Sequence, residues 1–79
     1  MAEKLIFKYD SIGDILYIKR CQPYAEQESE ELGDDIIVRL NPKTEEIENV
    51  EILFFSQRMQ QDKELTLPFI ADFGLANLI

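Results

Sequence analysis

Apolar residues alternate with polar ones over short stretches separated by turn-forming residues, and that two-residue period predicts strands. Leu5, Phe7 and Tyr9 alternate with Lys4, Ile6 and Lys8 as strand one. Asp10-Ser11-Ile12-Gly13 follows as a turn, and a second strand runs from Ile15 to Arg20. Asp10 can bond its own backbone ahead, and Gly13 can supply a positive φ to close the hairpin, with Asp14 starting the second strand. These three residues, Asp10, Gly13 and Asp14, are the structural turn.

A third strand is expected over Ile36–Leu40. Asn41-Pro42-Lys43-Thr44 is a turn by composition, because proline cannot serve a central ladder position. A fourth strand runs from about Glu46 to Phe55, but its phase slips. Ile47 is odd, whereas Val50, Ile52 and Phe54 are even, and a bulge near Glu48-Asn49 reconciles them. Ser56 is a plausible N-cap for a short helix over Gln57–Glu64 that carries almost no apolar residue. Beyond it, Leu65, Leu67 and Phe69 have strand spacing, while Phe69, Ile70 and Phe73 have helical spacing with Gly74 as a stop. Both readings stand. The pattern implies an α+β domain: an antiparallel β-meander of about four strands with one or two short C-terminal helices. Residues 1–64 form the domain, and 65–79 form an apolar extension packing on the sheet or on a second subunit.

Both faces of that sheet carry apolar residues. One would present Leu5, Phe7, Tyr9, Leu16, Ile18, Val38, Val50, Ile52 and Phe54; the other Ile6, Ile15, Tyr17, Ile37, Leu53 and Phe55. A half-exposed antiparallel sheet alternates more cleanly. The excess implies a homodimer whose interface draws on Tyr17, Phe55, Leu67, Phe69 and Phe73. Size points the same way. A chain of 79 residues buries only about 63% of its unfolded surface. Small domains make up the difference with disulfides, metals or oligomerisation. A single cysteine and no histidine leave the last.

Charge narrows the partners. Sixteen acidic against eight basic residues give a net charge of −8. Phosphate backbones and anionic lipid surfaces repel such a chain, so neither nucleic acid nor membrane is an expected partner. From Cys21 to Asp35 the apolar pattern fades, and Glu26, Glu28, Glu30, Glu31, Asp34 and Asp35 arrive without a basic residue after Arg20. The stretch reads as a solvated loop, as an edge strand protected by charge, or as a face for a basic partner. The opening residues lack the apolar run of a signal peptide, and with the lone thiol this implies a cytoplasmic protein.

Catalytic chemistry finds little to work with. Asp10 and Asp14 are too few oxygens for calcium and serve a turn better. Cys21 and Ser11 have no histidine to activate them, and Gly13, Gly33 and Gly74 are isolated, so no phosphate-binding loop exists. Tyr9, Tyr17 and Tyr24 read as core or interface residues, since stacking on bases also needs a positive groove. No enzyme activity, cofactor or metal is expected.

The segment Tyr9-Asp10-x-x-x-Asp14-x-Leu16-Tyr17-Ile18 resembles the signature of a family of short bacterial and archaeal proteins classed as a domain of unknown function. The likeness extends over about residues 4 to 58, through Glu28 to Glu31, Asp34-Asp35, Ile36 to Leu40, Asn41 to Thr44 and Val50 to Leu53. This chain has Ser-Ile-Gly where Pro-Glu-Ala is common, and Phe54-Phe55-Ser56 in place of an Asp-Ala-Ser ending. The resemblance implies a compact β-meander with a terminal helix and no activity established for the class. Some members resemble the small acidic partner of toxin–antitoxin-like pairs. The functional expectation is therefore a non-enzymatic, antitoxin-like interaction module. The alternatives are a structural homodimer without a further partner, and a small-molecule or metal-binding protein using a pocket between sheet and helix.

Overall fold

The computed structural model describes residues 4–70 and 73–75. Five strands and one helix follow in the order β1 (Ile6–Asp10), β2 (Ile15–Lys19), β3 (Glu28–Glu31), β4 (Ile36–Leu40), β5 (Ile47–Leu53) and α1 (Phe55–Asp62). The fold is α+β. It has one strand more than the four expected, because the acidic residues 28–31 pair as an edge strand.

All pairings are antiparallel, and the sheet order is β1-β2-β5-β4-β3. The β1–β2 hairpin and the β3-β4-β5 meander are each sequential. They join because β5 inserts between β2 and β4, so the chain from β2 to β3 must cross to the far edge. The bulge falls where the phase slip predicts it. Arg39 faces Asn49 while Leu40 faces Ile47, leaving Glu48 as the extra residue of β5.

The buried core is Ile36, Val38, Val50 and Ile52, which lie side by side on one face of β4 and β5. Leu16, Ile18, Leu40 and Ile47 extend it across the sheet, and Phe55, Leu65, Leu67 and Phe69 close over it. So residues 65–69 lie over their own sheet without regular strand or helix. Residues 71–72 and 76–79 of the expected extension lie outside the described residues.

Two expectations at the end of β5 are corrected. Simple alternation puts Phe54 on the core face and Phe55 on the other. Phe54 instead has φ 54° and is half exposed, while Phe55 turns onto the core. A left-handed residue breaks the alternation of side chains, so every position after it changes face. Nor does Ser56 cap the helix. The capping position is Phe54, which offers no side-chain acceptor, and Ser56 lies inside the first turn.

Candidate functional site

The turn Asp10–Asp14 works as its composition predicts at one end only: Gly13 does not supply the expected positive φ, which falls on Asp14 instead. Asp10 Oδ1 accepts the Ile12 N–H at 3.0 Å and the Gly13 N–H at 3.3 Å, so Asp10 organises the turn. Asp14 takes on more than the start of β2. It sits at φ 56°, and its carboxylate bonds to the start of the helix. Its Oδ1 accepts the Tyr9 hydroxyl at 2.6 Å and the Ser56 N–H at 2.9 Å, and its Oδ2 accepts the Ser56 hydroxyl at 2.9 Å. The Asp14 carbonyl accepts the Phe55 N–H at 3.0 Å. These bonds satisfy amides that open the first turn of α1, so the hairpin caps the helix from a distance.

Hydrogen bonds from the Tyr9 hydroxyl and the Ser56 amide hold the Asp14 carboxyl below its ordinary value, and the same bond to Asp14 raises the Tyr9 phenol. A carboxylate held that low is a poor base near neutral pH, and its oxygens are occupied by the turn and helix. The Tyr9–Asp14–Ser56 group therefore suits a fastening, not proton transfer.

A second fastening sits on the opposite face. Asn49, only 5% exposed, accepts the Arg20 N–H at 3.0 Å and the Cys21 N–H at 3.4 Å on its Oδ1. Its neighbour Glu48 accepts the Tyr24 hydroxyl at 2.5 Å, the Gln27 amide at 3.0 Å and the Asn41 amide at 3.3 Å. The bulge thus binds the connection that crosses from β2 to β3 (residues 20–27). Hydrogen bonds from Tyr24 and Gln27 lower the Glu48 carboxyl, and the Tyr24 phenol is pushed up to about 12 chiefly by its bond to Glu48. Sequence reasoning placed the bulge but missed these roles. The signal available was two adjacent polar residues, Glu48 and Asn49, amid a strand that is otherwise largely apolar.

The acidic residues are brought partly together. Glu28, Glu30 and Glu31 lie exposed on the open edge β3. Asp34 and Asp35 form the β3–β4 turn, both with positive φ, and Glu26 lies in the crossing connection. The apolar residues taken as an interface scatter. Phe55, Leu67 and Phe69 pack within the chain, Tyr17 is half-buried at the centre of the opposite face, and Phe73 is exposed. Within the sheet, exposed large apolar residues are found on β1 and just before it: Leu5, Ile6, Phe7 and Tyr9 are 44%, 51%, 61% and 45% exposed, while others such as Ile12, Phe54 and Ile70 lie in turns and the C-terminal segment.

A family profile described as a protein of unknown function, DUF2283, matches residues 6–56, from the first strand into the helix. The chain belongs to the DUF2283 family. No curated protein and no solved structure matches it. The match ends at Ser56, so in this DUF2283 protein both fastenings lie within the matched segment.

Two clefts flank the DUF2283 sheet. The larger, about 600 Å³, lies against the face that carries the crossing connection and is lined by Lys8, Tyr17, Lys19, Tyr24 and Arg39 among others. Arg39 is already bonded to Glu51 at 2.6 Å. The smaller, about 400 Å³, lies between helix and β3–β4 turn. Among the described residues, no three histidine, cysteine or acidic side chains are grouped to hold a metal, and no helix is long and apolar enough to cross a membrane.

Proposed function

We propose that this protein is a non-enzymatic interaction module that acts as a homodimer joined through β1 and offers its acidic β3 edge to a basic protein, in the manner of a small antitoxin. One observation carries the reading. β1 is an edge strand among the described residues, and the large apolar side chains of Ile6, Phe7 and Tyr9, with Leu5 just before it, stay exposed on both faces of the sheet. Natural proteins protect open edges with charge or cover them with chain; β1 has a single lysine, Lys8, with Lys4 just before it, and no strand among the described residues pairs with its outer side. The other edge is protected, since Glu28, Ser29, Glu30 and Glu31 are all exposed and three are acidic. That row favours fast, salt-sensitive encounter with a basic surface. A cytoplasmic setting agrees with the single free thiol.

The test is solution mass followed by partner capture. The expected mass is twice 9.2 kDa, falling to one copy on replacement of Phe7 by glutamate. Co-expression with a basic toxin encoded beside it should protect cells, and lysine at Glu28, Glu30 and Glu31 together should abolish protection. A single-copy mass for the unaltered chain removes the dimer, and full protection by the triple variant removes the acidic edge.

A second reading rests on the larger cleft, whose volume of about 600 Å³ falls within the range of small-molecule sites. It lies on the side of the sheet away from the helix. A rise in melting temperature in a metabolite screen, abolished by replacing Tyr17 with alanine, would favour it.

A further inference from the structure

The two edges of the sheet differ in kind, and that difference says how two copies would meet. β3 cannot pair with its own copy without opposing rows of glutamate. β1, extended by the two residues before it, reads Lys4-Leu5-Ile6-Phe7-Lys8-Tyr9-Asp10. One side of it is hydrogen-bonded to β2 and the other is open.

Two antiparallel copies related by a two-fold axis must place residues of the same parity opposite one another, because facing side chains share a face of the sheet. Few registers satisfy this over the whole segment. Centred on Ile6, Lys4 faces Lys8 at both ends. Centred on Lys8, the two lysines face each other at the axis. Like charges directly opposite are destabilising. Moving the centre to Leu5 or Tyr9 leaves half of the apolar row facing positions outside the segment Lys4–Asp10. Centred on Phe7, no like charges meet: Lys4 faces Asp10, Leu5 faces Tyr9, Ile6 faces Lys8, and Phe7 faces its own copy.

Building on the dimer proposed above, we infer that two copies of this chain join β1 to β1 in the register centred on Phe7, continuing the two five-stranded sheets as one. Leu5, Phe7 and Tyr9 lie on the same face as Ile18 and Leu16, their β2 neighbours being core residues. The joint therefore prolongs the apolar layer from one subunit into the next. The exposed Lys4–Asp10 pairs select the register more than they strengthen it. Both acidic β3 edges then lie at the outer ends, so the assembly presents two equivalent sites to a basic partner.

Cysteine cross-linking tests the register, in a chain whose Cys21 is replaced by serine. Directly opposed residues in an antiparallel pair lie about 4.5–5.5 Å apart at Cα, within the disulfide range of about 4.4–6.8 Å. After mild oxidation, F7C should run at twice the chain mass. I6C alone and K8C alone should remain single, and their equimolar mixture should give a mixed dimer. The mixture keeps the test decisive should F7C fold poorly. A single-copy mass for the unaltered protein overturns the dimer proposed above together with this register. A dimeric mass with no cross-link from F7C or from the mixture overturns the register alone, as does efficient cross-linking of I6C or K8C by itself.

Discussion

Asp14 and Ser56, separated by 42 positions in the chain, are joined twice: the Ser56 N–H donates to Asp14 Oδ1 and its hydroxyl to Oδ2, each at 2.9 Å. The hairpin that opens the domain thus holds the start of its helix. Helix α1 has eight residues, none of them fully buried, and beside these bonds its first turn is anchored by Phe55, which packs on the core and against the Tyr9 ring.

Replacing Asp14 with alanine should therefore loosen the helix before the sheet. Hydrogen exchange at the amides of residues 56–62 is expected to quicken first, with a lower melting temperature. The Asp14→Asn variant keeps one acceptor and should fall between. Ser56→Ala removes the hydroxyl bond and spares the amide bond, so its effect should be the mildest. Equal exchange in all four proteins would mean that the helix is held by Phe55 packing alone.

The same bonds give stability a defined pH dependence. The Asp14 carboxyl is lowered from 3.8 in the fold. Its contribution is fully present above that ordinary value and is lost as pH falls through the lower, folded one. The Tyr9 phenol is raised from 10.0. Its contribution is present below that value and is lost as pH rises through the higher, folded one. Glu48 and Tyr24 repeat the arrangement at the bulge, the first lowered and the second raised to about 12. Urea unfolding from about pH 3 to about pH 11 should give a plateau with a falling limb at each end. Because one bond carries both shifts, Asp14→Ala and Tyr9→Phe should each make both limbs shallower, leaving the share that the Glu48–Tyr24 bond supplies.

What was legible in the sequence was local. Ile36–Leu40 has the bounds its β-branched run implies, and the slip between Ile47 and Val50 marked the bulge, because side-chain phase is a property of neighbouring residues. Pairing between distant segments left no such trace. Nothing near Ile47–Leu53 announces that β5 lies between β2 and β4, since any apolar strand could fill that place. Ser56 looks like a cap because sequence offers only nearby acceptors, whereas the acceptor comes from Asp14. Phe54 and Phe55 exchange faces for want of any residue type that favours a positive φ. For the candidate site, the acidic edge was visible as composition. The exposure of β1 was not, because it depends on which strand ends up at the edge.

Asn49 offers a test of the second fastening. Its Oδ1 serves two backbone donors, and Asn49 is itself buried. Alanine there removes the acceptor shared by the Arg20 and Cys21 N–H groups, an expected loss of about 0.5–1.5 kcal/mol per bond in unfolding free energy. Asn49→Asp keeps the oxygen but adds charge beside Glu48 and Glu51, so it should lie between the two. Limited proteolysis supplies the structural reading: cleavage should appear within residues 20–27 in the alanine variant at protease levels that leave the unaltered chain whole.

Lys63 closes α1 in the left-handed region, with φ 58° and ψ 0°, while its N–H donates to the Met59 carbonyl at 3.0 Å. That conformation costs a residue with a Cβ roughly 1–2 kcal/mol, and glycine is free of the penalty. Glycine also gives the unfolded chain more freedom, which returns about 0.4–1 kcal/mol of the gain. The net expectation for Lys63→Gly is a stabilisation of about 0.5–1 kcal/mol, or a melting temperature higher by a few degrees. Lys43→Gly is the control. Lys43 has no positive φ, so the same exchange there relieves no strain and should leave stability unchanged or lower. A lower melting temperature for Lys63→Gly would show that the lysine side chain holds the end of the helix by contacts that outweigh its backbone strain.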